Sequence, residues 1–75
     1  MYDPDEACRM MAEKINGICA QKGMTPYALA KKAGISTSAT SYLLEGKTKP
    51  QVYTLLLVCN ALDVTVGELF DGENS

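Results

Sequence analysis

The stretch LAKKAGISTSATSYLLEGKTKP, Leu29 to Pro50, holds two short helical patterns with almost nothing between them. The first pattern stops at Gly34. Ile35 follows as a linker residue of buried type, and Ser36 caps the second pattern. A glycine free to turn left-handed, then an aliphatic, then a hydroxyl cap makes a sharp change of direction. Two helices crossing steeply over such a short turn form a helix-turn-helix. Ala30 and Ala33 are small enough to let the two helices approach closely.

The helix after the turn, about Thr37 to Glu45, should leave one side free. That side carries Thr37, Ser38, Ser41 and Tyr42, with Thr40 at its margin, while Ala39, Leu43 and Leu44 are the expected core contacts. Ser and Thr are poor residues for a helix interior, and an exposed face with no further duty would use Ala, Glu or Lys. Short hydroxyls and one aromatic ring suit the edges of base pairs in a major groove. An incidental polar surface is the plainer reading of the same residues.

Outward from this pair, Asp3-Pro4-Asp5-Glu6 reads as a helix start: Asp3 caps, Pro4 takes the first helical position, and Glu6 has capping-box spacing. Apolar residues recur at Ala7, Met10, Met11, Ile15, Ile18 and Cys19 until Lys22-Gly23 ends the first helix. Thr25-Pro26 opens the second helix in the same way. After a polar loop, Lys47 to Pro50, a fourth helix runs from about Gln51 to Leu62. It is apolar nearly all round, as a central core helix would be. Thr65 to Glu68 has capping-box spacing and starts a last short helix through Leu69 and Phe70. The expectation is an all-α fold: one compact five-helix domain over residues 1–75, its core about 5–70 and the helix-turn-helix about 25–45.

With 75 residues there is room for one domain. A hydrophobic content of 47% argues for a folded core rather than disorder. No apolar run approaches the ~20 residues of a membrane span, and MYDPDEACRMM lacks the charged and apolar regions of a secretory signal. No membrane association and a cytoplasmic location are therefore expected. Cys8, Cys19 and Cys59 are odd in number and fit no disulfide framework, and the chain has no His and no CxxC pair. No metal or other cofactor is expected, and Cys19 and Cys59 read as core thiols. The net charge of −2 is unevenly spread. Residues 22–49 carry Lys22, Lys31, Lys32, Lys47 and Lys49 against Glu45 alone, while both flanking segments are acidic. The local field, not the total, decides where a polyanion lands.

The pattern TPYALAKKAGIS…LLEGKTKP…TLLLVCNALDVTVGELF resembles the XRE-family helix-turn-helix domain, the group of the lambda and Cro-type phage repressors. The resemblance runs from about Ile15 to Phe70. It rests on the Ala30 and Gly34 spacing, the Gly46-Lys47 loop, Pro50, and the Ala61 to Val64 run before the last helix. It implies a repressor-like domain that binds double-stranded operator DNA as a homodimer, with the third helix entering the major groove by its N-terminal end. Carried over by position, Thr37, Ser38, Tyr42 and Ser41 would face bases. Thr25, Lys47, Thr48 and Lys49 would hold phosphates. For a dimer surface the family points to the last helix and its flanks (Val64, Val66, Leu69, Phe70), with Met10 and Met11 of the first helix as the alternative.

The chain also departs from the family. Pro26 stands where a phosphate-contacting Gln is common. Cys19 and Leu44 stand where an Arg–Glu pair often joins the first and third helices, so the two lose a polar fixing of their register. The third helix lacks the Gln or Arg of many relatives, which implies modest direct readout and more weight on DNA shape. The alternative function is a protein-binding module or antitoxin on the same fold, with a toxin or another regulator as partner. An enzyme is not expected. There is no His to serve as base, and Tyr27 and Tyr53 read as packing or surface residues.

Overall fold

The computed structural model describes residues 3–47 and 49–70. The described residues form five helices: α1 Pro4–Lys22, α2 Pro26–Ala33, α3 Thr37–Leu44, α4 Val52–Leu62 and α5 Val66–Phe70. The local signals that start and stop them act as the sequence implies. Asp3 Oδ1 accepts from the N–H of Asp5 and of Glu6. Thr25 Oγ1 accepts from Ala28 N–H at 3.1 Å, and Ser36 Oγ from Ala39 N–H at 3.0 Å. At α5 the capping box is reciprocal: Thr65 N–H donates to Glu68 Oε1, and Glu68 N–H to Thr65 Oγ1. The box expected at α1 is only half formed, because Glu6 pairs with the Arg9 guanidinium instead.

α2 packs on α3 and α4, while α1 lies against α3 and α5, and α4 touches α5. Met11, Ile15, Leu29, Leu43, Val58, Leu62 and Leu69 form the centre, each at most 2% exposed. Each helix contributes at least one of them, so no helix can be removed without opening the core. Cys19 and Cys59 are buried among these residues, as expected.

Four expectations about faces need correction. Thr40, placed at the margin of the free side, is fully buried; its hydroxyl donates to Ser36 O at 2.9 Å and so enters the core satisfied. Ala39, expected inside, is exposed. On an eight-residue helix the buried seam runs through residues 40 and 43, which turns 39 outward beside 38 and 42. Met10 is 42% exposed, and Ala12 takes the inward place beside Met11. Finally, α4 is not buried all round. Val58, Cys59, Ala61 and Leu62 are inside, but Val52 and Tyr53 are each 72% exposed and Leu56 45%. The fully buried positions lie in the second half of that helix, while Leu55 and Leu57 pack partly buried against the core.

One backbone position carries strain. Asp63, just after α4, has φ 60 and ψ 45, and is the one non-glycine residue with positive φ among the described residues. That conformation costs an L-residue roughly 1–2 kcal/mol, of which glycine's greater unfolded freedom gives back about half. The carboxylate also faces the negative end of the helix dipole. Asp63→Gly is expected to raise stability by about 0.5 kcal/mol. A urea titration with a lower midpoint for the variant would mean that the Asp63 side chain makes a favourable interaction outweighing the strain.

Candidate nucleic-acid interface

Gly34, at φ 77, ends α2 in the left-handed conformation, and its N–H and that of Ile35 both donate to Ala30 O. Ile35 then turns into the core margin and Ser36 caps α3. The connection is thus fixed by backbone and cap hydrogen bonds, which sets the direction in which α3 leaves the turn.

With Thr40 and Leu43 buried, the opposite side of α3 presents Thr37, Ser38, Ala39, Ser41 and Tyr42 to solvent, Tyr42 at 57%. The spacings 37–41, 38–41 and 38–42 are those of one helix face. The face carries no charge. It offers hydroxyls that donate and accept, one methyl from Ala39, the methyl of Thr37, and an aromatic ring. Ala39 is the addition that sequence reasoning missed.

The chain beyond α3 is tied back to it. Gly46 N–H donates to Leu43 O at 3.1 Å and Lys47 N–H to Tyr42 O at 3.2 Å. These bonds hold Lys47 at the end of α3 with its side chain 71% exposed. A Cβ built on Gly46, at φ 73, would lie 3.6 Å from Ala12 Cβ, so this loop also rests on α1. Lys49 is exposed, and Thr48 falls outside the described residues. Thr25 is exposed at the start of α2; its oxygen serves the cap, and its hydroxyl proton remains a donor. Lys31 and Lys32, in the last turn of α2, are exposed as well.

α1 and α3 do have a polar tie, contrary to expectation. Asn16 Nδ2 donates to Ala12 O at 2.9 Å and to Leu44 O at 2.8 Å. The second bond caps one of the carbonyls at the end of α3 that no helical N–H can reach. Cys19 and Leu44 themselves lie in and against the apolar core. The sequence offered no sign of the Asn16 bond, since its partner is a backbone oxygen 28 residues away.

Burial pushes the Cys19 thiol above the ordinary range, and burial together with the Glu68 charge does the same at Cys59. Both shifts favour the neutral thiol over the thiolate. Among the described residues no three His, Cys, Asp or Glu side chains are grouped to hold a metal ion. No described helix is long and apolar enough to cross a membrane. Tyr27 and Tyr53 lie at the surface, 64% and 72% exposed.

Residues 14–74 match the Cro/C1-type HTH DNA-binding domain. The chain belongs to that family. The match starts within α1 and takes in the helix-turn-helix, α4 and α5, nearly the span over which the sequence resembles XRE-family domains. No curated protein sequence matches closely enough to name a relative. A Cro/C1-type domain is a DNA-binding fold with a regulatory role, and double-stranded DNA is the partner it implies.

Proposed function

We infer that this Cro/C1-type domain is a sequence-specific transcriptional repressor acting in the cytoplasm as a homodimer on operator DNA. The supporting observation is the uncharged hydroxyl face of α3 with a lysine pinned at its end. In this reading α3 enters the major groove. Thr37, Ser38, Ser41 and Tyr42 meet base edges, and the Thr37 and Ala39 methyls meet thymine methyls. Thr25, Lys47 and Lys49, with Thr48 between them in sequence, hold phosphates on either side of the groove and set the register. Short side chains make few bidentate contacts, so much of the selectivity comes from DNA shape. Lysines on phosphates and hydroxyls on bases would then divide affinity from specificity.

Thr37→Ala is expected to relax the preference at one or two base pairs by about 1 kcal/mol each, with little loss on unrelated duplexes. Binding measured against a panel of single-base operator variants checks this. A uniform loss across the panel would make Thr37 a backbone contact.

For the dimer, Leu69 is 2% exposed and Met11 also 2%, so neither side chain is free to meet a second subunit. Val64, Val66 and Phe70 are half-buried against the core, and Met10 is the open apolar side chain of α1. Any contact made by α5 uses the outer edges of these residues.

A second reading, a protein-binding module or antitoxin, draws support from Val52, Tyr53 and Leu56, an apolar group on α4 left exposed among the described residues. The deciding experiment is binding to DNA from upstream of the chain's own gene against a shuffled duplex, at two salt concentrations. Preference for the native fragment that survives the higher salt supports the repressor. Weak and equal binding that vanishes with salt supports the protein module.

A further inference from the structure

Glu45 is the one acidic residue between Lys22 and Lys49. It occupies the cap position at the C-terminal end of α3, where the helix dipole is negative and a carboxylate is disfavoured. Its backbone is fixed: Glu45 N–H donates to Ser41 O at 3.0 Å. Two residues on, Lys47 is held by its own N–H bond to Tyr42 O. Across this short span Lys47 Nζ lies 3.6 Å from Glu45 Oε1, and both side chains are more than half exposed.

We propose that Glu45 is an internal counterion that competes with DNA phosphate for Lys47 and so sets how tightly the domain holds any duplex. The proposal rests on the reading of Lys47 as a phosphate contact. The chemistry is a simple exchange. An exposed ion pair is weakly held, so a phosphate can displace the carboxylate. Breaking the pair to free the lysine carries its own cost. Part of what the lysine gains is thereby lost. Without the lysine, the carboxylate has no cation to release.

Two consequences separate this device from a plain surface charge. Lys47 in the wild type carries its own counterion, so it displaces fewer cations from DNA than an unpaired lysine would. Freed of Glu45, it would contribute the full slope of about 0.9 in log K against log salt. The carboxylate acts on affinity for all sequences alike, because it acts through a lysine read as a phosphate contact.

The test uses the full chain and a mixed-sequence duplex as a polyphosphate probe. Wild type, Glu45→Gln, Lys47→Gln and the double variant are titrated across a salt series, with thermal unfolding checking that each is folded. Glu45→Gln is expected to bind about 3- to 10-fold more tightly at low salt, the size of one screened charge contact. Its salt dependence should steepen, and the gain should largely disappear in the Lys47→Gln background. A full gain that persists without Lys47 overturns the counterion role and leaves only direct repulsion. No gain from Glu45→Gln, while Lys47→Gln still weakens binding, overturns the proposal and leaves the phosphate reading standing. No effect from either variant removes the phosphate reading, and the proposal with it.

Discussion

Replacing Lys47 and Lys49 together by Ala is expected to weaken binding to every duplex by roughly 10- to 60-fold near 0.1 M salt, and to flatten the salt slope by up to about 1.8. Each lysine that meets a phosphate releases a condensed cation, and that entropy supplies much of the affinity. The structure gives the two residues the freedom they need: Lys47 is anchored by its backbone but open at its side chain, and Lys49 is exposed. The loss should fall equally on operator and shuffled DNA, because phosphates carry no sequence. It should shrink as salt rises. The lower end of the range applies if Glu45 already holds back Lys47. Fluorescence titrations at several salt concentrations decide it, and an unchanged slope would remove both lysines from the phosphate role.

The second large effect is on folding. Leu43→Ala should cost about 2–5 kcal/mol, since a buried leucine is lost and the cavity cannot fully close. Leu43 is 1% exposed and sits on the side of α3 opposite the hydroxyl face. A domain of this size has only about 4–11 kcal/mol in total. The variant should therefore show a large fall in the urea midpoint, and DNA binding should fall with the folded fraction. Thr37→Ala, one and a half turns away on the outer face, should leave the midpoint within about 0.5 kcal/mol of wild type. If Leu43→Ala kept near-normal stability, the packing of α3 on α1 and α2 would have to tolerate a cavity, and the direction of α3 would not depend on this contact.

Much of the fold was legible because its punctuation is local. Asp3, Thr25, Ser36 and Thr65 each bond to an N–H two or three residues on, so the sequence window contains the whole interaction. The glycines at 23 and 34 stop helices by backbone geometry alone. What misled was facing. α3 has two turns, too few for its periodicity to distinguish Thr40 from Ala39 as the inward residue. α4 is so apolar that its pattern carries no direction, and only tertiary packing leaves Val52, Tyr53 and Leu56 outside. At the candidate interface the hydroxyl side chains were legible, whereas Ala39 was assigned to the wrong side. The Asn16 bond and the Glu45–Lys47 pair depend on where loops end in space. No spacing rule announces them.

The Asn16 bond to Leu44 O has a bearing on how the domain would behave as its surroundings change. An arginine–glutamate pair in that place would loosen as ionic strength rises and as the carboxylate protonates. A carboxamide meeting a carbonyl is neutral on both sides. Screening ions and acid leave it alone. On the reading of α3 proposed above, in cells whose internal salt fluctuates the grip on phosphates would rise and fall while the angle of that helix stayed constant. Strength of attachment and accuracy of aim would thus answer to different variables, and an osmotic shock would shift occupancy without changing which site is occupied.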